Sequence, residues 1–495
     1  MSFDLIPEPQ SVTLNGEAAD SDDAGAPVPV ALPLVGRISE DRDIDDIAGV
    51  FPTQLADDIE AATGLRWDIA SDVMVAGLPA PNAATAHPVP PHASCWKSFI
   101  TLRLDPSSLE PQEYRLTIAR SGIDVVGGDT EGVRNGVQTL RQIIRQCAPA
   151  LPRLVIADKP AYKVRGYYLD ATRGRVPTLD WLKTWADRLC LYKYNQLQLY
   201  IEHTFMFDDL SETWRGTSPL KPADIIAFDE YCARLGIELV PSVSTFGHQY
   251  MAMRTRELRH LGEFPEDADR QYGFVERQRH HTLNITEPES LAFSFKLIDA
   301  YMQLFRTRKF NICGDETFDL GRGRSKPEAE RRGVAAMYAD FVSQLCRHLS
   351  ERGREPMFWG DIAVEMPQIL GLLPDNVTLL NWLYAPGIGE DKVRLVAQAG
   401  APQYVCWAVW CWNALLPRLD DSRLARYGVK YGAVGYLVTD WGDYGHVNDP
   451  RMAVSGMIFG AQCAWNPMAH IQGEAGCGDG EEGSAAGYAD AAADA

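Results

Sequence analysis

From Lys163 onward the chain alternates short apolar runs with amphipathic helical stretches, and this alternation constrains the fold more than any other feature. The runs are Arg165 to Asp170, Gln196 to Ile201, Glu238 to Val243, Phe310 to Cys313, Pro356 to Trp359, Thr378 to Trp382, Gln403 to Val409 and Ala433 to Thr439. Strands joined through helices run parallel, and eight of them over roughly 300 residues match the size of a closed (β/α)8 barrel. The expected fold class is therefore α/β: a TIM barrel over residues 161–472, preceded by a smaller α+β domain over residues 1–160. An open doubly wound sheet is the alternative. A closed barrel would gather the residues that follow each strand at one face.

In the N-terminal region, Tyr114-Arg-Leu-Thr-Ile and Ile123-Asp-Val-Val read as strands around a Ser121-Gly122 turn. Val133, Val137, Leu140 and Ile144 then recur at helical spacing, one apolar stripe to lay on that sheet. The acidic, Ala/Pro-rich stretch from Ala18 to Pro29 reads as a surface excursion. Residues 473–495, Gly/Ala/Asp/Glu-rich without Lys or Arg, read as a disordered acidic tail.

Composition narrows the partners. A net charge of -20 argues against nucleic acid, whose binding needs concentrated Lys and Arg, and favours a neutral or weakly charged substrate. No run of ~20 apolar residues suggests a membrane span, and Met1 to Gln10 has neither the basic cluster nor the apolar run of a signal sequence. Ten cysteines without a C-x-x-C pair read as reduced thiols in a cytoplasmic protein, with no structural metal and no cofactor expected.

The strand ends deliver chemistry. Strand one gives Asp170 and Arg173, with Arg165 at its start; strand two gives Glu202 and His203; strand three gives Ser244 and His248. Strand four gives Asp315 and Glu316, and strands five to eight add Trp359 and Asp361, Trp382 and Tyr384, Trp410 and Trp412, and Trp441 with Asp443. A lone Trp at a strand end is usually packing, and a lone His is usually structural. Tryptophan at four successive strand ends instead suits the apolar faces of a pyranose, with carboxylates and an arginine for its hydroxyls. The Asp315-Glu316 pair follows the apolar run Phe310-Asn-Ile-Cys-Gly, which puts it at a strand mouth and not on a solvated helix.

Gly314-Asp315-Glu316 at the end of such a strand resembles the signature of the family 20 glycoside hydrolases, the β-N-acetylhexosaminidases. Leu5-Ile-Pro-Glu-Pro-Gln and Gly136-Val-Gln-Thr-Leu140 are similar to the family's N-terminal domain. Arg165-Gly166 with Leu169-Asp170 and Arg173 resembles its first barrel strand, and Glu238-Leu-Val-Pro-Ser with Phe246-Gly247-His248 its third. The resemblance implies a retaining exo-hydrolase in which the substrate's 2-acetamido group is the nucleophile and an oxazolinium the intermediate. It implies Glu316 as acid and then base, and Asp315 as the partner of the acetamido N–H. By the same resemblance Arg165 would grip the outer hydroxyls and Asp443 take O4 and O6. Trp359, Trp382 and Trp441 would wall the ring, His248 support the acid, and Asp170 orient Arg165. The partner implied is an oligosaccharide or glycoconjugate ending in N-acetylhexosamine, gluco or galacto.

Three departures stand out. Asn311 and Cys313 occupy positions that carry His and Gly in many members. Leu199-Tyr-Ile-Glu-His203 replaces a pattern with His and Asp, leaving Glu202 and His203 as substitutes. Cys406-Trp-Ala-Val-Trp-Cys-Trp-Asn413 replaces a Tyr-Leu-Asp, leaving Tyr384 or Trp410 as candidates for the acetamide carbonyl. The rivals are a catalytically silent barrel that binds N-acetylated glycans and a two-carboxylate retaining hydrolase using Asp361 or Asp443. A metal-dependent hydrolase on His203, His248, Asp315 and His281 lacks the tight ligand spacing of metal sites.

Overall fold

The computed structural model describes residues 3–14, 28–70, 98–384, 387, 389–409, 419–447 and 449–469. Almost all of Ala18 to Pro29, Trp410 and Trp412, and the whole of Gly473 to Ala495 lie outside these residues. Eight parallel strands close into a barrel: β1 (Val164–Asp170), β2 (Gln196–Ile201), β3 (Glu238–Val243), β4 (Lys309–Asn311), β5 (Glu355–Trp359), β6 (Thr378–Trp382), β7 (Gln403–Ala408) and β8 (Gly435–Asp440). Gly166 pairs with Gln196 of β2 on one side and Leu437 of β8 on the other, which closes the ring. With helices outside and side chains inside, β2 and β8 are buried at every position, including Gln196 and Gln198, which bond each other inside the barrel. Tyr168, Tyr200, Val240, Met357, Trp359 and Leu380 fill the interior. The barrel is a packed core and not a channel.

The N-terminal residues form a seven-stranded sheet in which Tyr114–Ala119 and Gly122–Gly127 are a central antiparallel pair. The helix Thr130–Cys147 starts where the Asp129 carboxylate accepts the Gly132 N–H at 2.7 Å. Its stripe Val133, Val137, Leu140 and Ile144 is buried on the sheet, but burial is continuous from Gly132 to Ile144. The helix is covered on its polar face as well. There Arg134 donates to the carbonyls of Leu235 and Gly236, and Gln142 to that of Leu191, all on the barrel. The last helix, Ala453–Trp465, returns from β8, and Trp465 enters the core of the N-terminal sheet with its Nε1 on Asp158 Oδ1 at 2.9 Å. The sheet is thereby fixed to the N-terminal end of the barrel, opposite the strand mouths.

Candidate active site

Each strand mouth is shaped by local backbone demands before any chemistry enters. After β4, Cys313, Gly314 and Glu316 take left-handed φ values of 61, 78 and 48°. For the two non-glycine residues this costs of order 1 kcal/mol each, held by surrounding bonds. Asn311 Oδ1 accepts the Cys313 N–H at 2.9 Å, Tyr338 donates to the Gly314 carbonyl at 2.8 Å, and Asp361 Oδ2 accepts the Glu316 N–H at 3.2 Å. The turn therefore throws both Asp315 and Glu316 into the mouth. From β3, Gly247 lies so close that an added Cβ would stand 2.5 Å from the Asp315 carbonyl. The residue after it, His248, also at positive φ, is thus pressed against the pair.

His248 Nε2 stands 3.4 Å from Asp315 Oδ2 and 3.5 Å from Glu316 Oε2. Burial lowers the affinity of the imidazole for a proton, but Asp315 and Glu316 outweigh it and raise its pKa to about 9. Glu316 is raised above the usual carboxylate range, first by burial and then by Asp315, with His248 pulling the other way. Asp361, fully enclosed, is raised well above it by burial and by Asp315. A carboxyl tuned upward beside one bonded to the same histidine is how proteins prepare an acid and its electrostatic partner.

Opposite them, Asp170 ends β1 and accepts the N–H groups of Thr172 and Arg173 with one oxygen and that of Gly442 with the other. This sets the path of Arg173, whose Nη1 lies 2.9 Å from Asp443 Oδ1 and whose Nε lies 3.2 Å from Glu202 Oε1. The guanidinium rests over the rings of Tyr200 and Trp441 at 5.4 and 5.3 Å. Burial raises the Glu202 carboxyl, but His203, 3.8 Å away, and the Arg173 charge outweigh it and hold it at about 2. Trp382 stacks on Tyr384 at 5.0 Å, and the Tyr384 hydroxyl bridges Thr439 and the Trp441 indole, each at 2.9 Å. Arg173, Asp315, Glu316, Trp382, Tyr384, Trp441 and Asp443 enclose a pocket of about 560 Å³, counted out to solvent.

Several expectations change. Arg165 is not in this pocket: near the start of β1, it lies at the opposite end of the barrel, 1% exposed. There it donates to Lys193 O, Tyr162 O, Gln112 Oε1 and Glu131 Oε1. Asp170 consequently positions Arg173 and not Arg165. Strand polarity carries the signal, because a residue that precedes the apolar run of a barrel strand faces the end away from the mouth. Trp359 is fully enclosed and does not line the pocket: its ring packs 4.9 Å from Tyr168 and 5.4 Å from Trp441, with the indole Nε1 making no hydrogen bond. Glu202 and His203 stand behind Arg173, and Trp410 lies outside the described residues. Asn311 and Cys313 pack inward, Asn311 on Gln198 and Cys313 Sγ 3.3 Å from Ser242 Oγ, so they support the turn from below. Among the described residues no group of three or more His, Cys, Asp or Glu stands where it could hold a metal ion.

Fold and site together define a (β/α)8 barrel with a paired-carboxylate, aromatic-walled pocket at its C-terminal mouth. Residues 162–408 match the catalytic-domain model of glycosyl hydrolase family 20, and residues 46–159 match that family's domain 2. The chain belongs to glycosyl hydrolase family 20. Among curated relatives, it is 26% identical over 344 residues to a lacto-N-biosidase of Bifidobacterium bifidum, covering 66% of this chain and 29% of that protein. It is 30% identical over 286 residues to a β-hexosaminidase of Akkermansia muciniphila, covering 51% of this chain and 56% of that protein. The chain thus spans little more than half, or less, of these relatives' length. The solved β-N-acetylhexosaminidase of Bacteroides fragilis superposes with a TM-score of 0.67 at 17% identity, over 93% of this chain and 90% of that one.

Proposed function

We propose that this protein is a retaining exo-β-N-acetylhexosaminidase that releases a terminal β-linked N-acetylhexosamine, gluco or galacto, through an oxazolinium intermediate. The observation that carries the reading is the Asp315–His248–Glu316 arrangement beside an aromatic-walled pocket. Glu316, raised by burial, holds a proton to deliver to the glycosidic oxygen; as a carboxylate it then activates the water that opens the ring. Asp315 accepts the acetamido N–H and offsets the positive charge that appears as the carbonyl oxygen closes on C1. Arg173 and Asp443, joined at 2.9 Å, present a donor and an acceptor to the outer hydroxyls, the role the sequence assigned to Arg165 and Asp443. Trp382, Tyr384 and Trp441 meet the apolar sugar face, with Trp359 packed behind Trp441. Asp361 is disfavoured as a protein nucleophile: its carboxyl is raised well above the carboxylate range and one oxygen accepts the Glu316 N–H. The described cysteines are free thiols, in keeping with a reducing, cytoplasmic setting, and no described helix is long and apolar enough to cross a membrane.

The test is hydrolysis of aryl β-N-acetylglucosaminide and β-N-acetylgalactosaminide by the wild type, Glu316→Gln and Asp315→Asn, with an oxazoline-mimicking thiazoline as inhibitor. Both substitutions are expected to cost about 10² or more in kcat, with strong thiazoline inhibition of the wild type. Equal cleavage of sugars lacking the acetamide would hand the site to the two-carboxylate reading, and binding without cleavage to the glycan-binding one.

A further inference from the structure

The loops after β2 and β3 enclose a second pocket, of about 820 Å³ counted out to solvent, that shares no residue with the sugar pocket. Arg215, Arg254, Arg256 and Arg259 line it with one carboxylate, Glu212, in a chain whose net charge is -20. Each of three arginines is fixed by its own neighbours. Arg259 grips Asp269 through both terminal nitrogens at 3.0 and 3.1 Å, and its Nε donates to the Thr255 carbonyl at 3.2 Å, which holds the turn after the short helix Tyr250–Met253. Arg254 donates to the Tyr250 hydroxyl and lies 5.0 Å from the centre of that ring. Arg215 Nη2 donates to Ser211 Oγ at 3.2 Å, along the helix Ser211–Trp214. Among the described residues Arg259 alone of the four makes an ion pair, and Glu212 pairs with none of them. The charge is felt beyond the pocket: burial, then His280 and Arg254, lower His281 to about 4. Guanidiniums held around a common space repel one another, and an anion seated between them removes that cost.

We infer that this pocket binds a tetrahedral oxyanion, a sulfate or phosphate group, gripped by Arg215, Arg254 and Arg256. The donors select the class. All are arginines, whose planar forks give paired N–H bonds to such oxygens and whose weak hydration favours the contact. They come from two segments, Arg215 from the loop after β2 and the other two from the loop after β3, and so meet an anion whose oxygens point in several directions. The charge matches as well. With Asp269 occupied by Arg259, three positive charges face the one negative charge of Glu212, and the surplus of two is that of a sulfate or phosphate dianion. Met251 lines both this pocket and a small cavity walled by Glu202 and His248, so the anion sits beside the catalytic machinery without entering it. The group can arrive as a free ion or as an ester on the glycan being cleaved. The binding site stands independently of the function proposed above; only the second source rests on that function.

The experiment is calorimetric titration of the whole chain with sodium sulfate and sodium phosphate, against chloride at fixed ionic strength, followed by kcat/KM on a sulfated and an unsulfated N-acetylhexosamine oligosaccharide. Wild type is expected to bind the free anion saturably. The double variant Arg215→Gln, Arg256→Gln is expected to bind it about tenfold more weakly or worse, since charge-assisted bonds are lost from two exposed side chains that make no ion pair in the fold. Arg66→Gln, which removes a positive charge from the N-terminal region instead, is expected to stay within about twofold of wild type. A wild-type advantage for the sulfated oligosaccharide of about tenfold, lost in the double variant while the unsulfated rate holds, would assign the group to the glycan. Equal rates on the two oligosaccharides beside saturable binding of the free anion would assign it to the free ion. Anion binding that survives in the double variant would overturn the inference, as would a wild type with neither saturable binding nor a sulfate advantage. If the wild type cleaves neither oligosaccharide, the proposed hydrolase activity fails by itself, and the titration still decides the pocket.

Discussion

Arg165 and Arg173 stand at opposite ends of β1, both nearly enclosed at 1% and 4% exposure, in opposite surroundings. At the closed end Arg165 meets carbonyls, the Gln112 amide and one carboxylate, with the Trp465 ring 5.0 Å from its guanidinium carbon. At the mouth Arg173 meets three carboxylates, Asp170, Glu202 and Asp443. At this end of the barrel several buried atoms make no hydrogen bond: Nδ1 of His248, Nε1 of Trp359 and Oδ1 of Asp361. Buried polar groups are ordinarily satisfied, so a cluster of unsatisfied ones beside excess acceptors marks the end that awaits a ligand. The closed end, where Asp158 takes bonds from Tyr114, Lys193 and Trp465, spends its polar groups on joining sheet to barrel.

The comparison breaks if Arg165 serves the substrate. Arg165→Met leaves the Lys193 and Tyr162 carbonyls without this donor, while Glu131 Oε1 keeps Arg134 and Asn195, and is expected to cost about 2–6 kcal/mol of unfolding free energy, at about 1–3 kcal/mol for each buried carbonyl left unmet. Urea denaturation measures this, and activity per folded molecule should remain within about twofold of wild type. Normal stability with lost activity would move Arg165 into the site. Arg173→Lys sharpens the other half. It keeps the charge but removes the planar fork that spans Glu202 and Asp443, so kcat/KM is expected to fall about 10²-fold. The urea midpoint should shift little; a large shift with normal kinetics would make Arg173 structural.

Much of this contrast was legible in the sequence. Eight strands, the helix stripe through Val133 and Ile144, and the Gly314-Asp315-Glu316 mouth follow from periodicities of two and 3.6 and from where the apolar runs stop. Arg165 and Arg173 flank one apolar run, and only strand polarity separates them: Arg165 sits at the start of β1 and Arg173 past its end, at the mouth. Other features depend on contacts between distant segments. The positive φ of Cys313 and Glu316 is held by Asn311, Tyr338 and Asp361, and the 273–280 loop is pinned to Asp443 through Gln278 and packs Phe274 against Gly445. Local pattern carries no information on such pairings. Trp359 ends its strand as Trp382 does, yet β5 packs it into the barrel interior behind Trp441 while Trp382 and Trp441 wall the space.

The smallest expected effect is also the one that separates the two ends by sign. At the mouth His248 binds its proton more tightly folded, about 9 against 6.5, so from pH 6.5 to 9 the native state holds more protons than the unfolded state and stability falls as pH rises. At the closed end burial, only partly offset by Asp158, lowers Lys193 to about 8 against 10.5. From pH 8 to 10.5 the unfolded state therefore holds more protons and stability rises with pH. The difference in unfolding free energy between wild type and His248→Gln should fall across the first window, and that between wild type and Lys193→Met should climb across the second. Neither slope can exceed about 1.4 kcal/mol per pH unit, the limit for one proton. Urea titrations from pH 6 to 10.5 read both curves. Slopes of the same sign would mean that the histidine between Asp315 and Glu316 is held neutral, and with it would go the charged bridge between the two carboxyls.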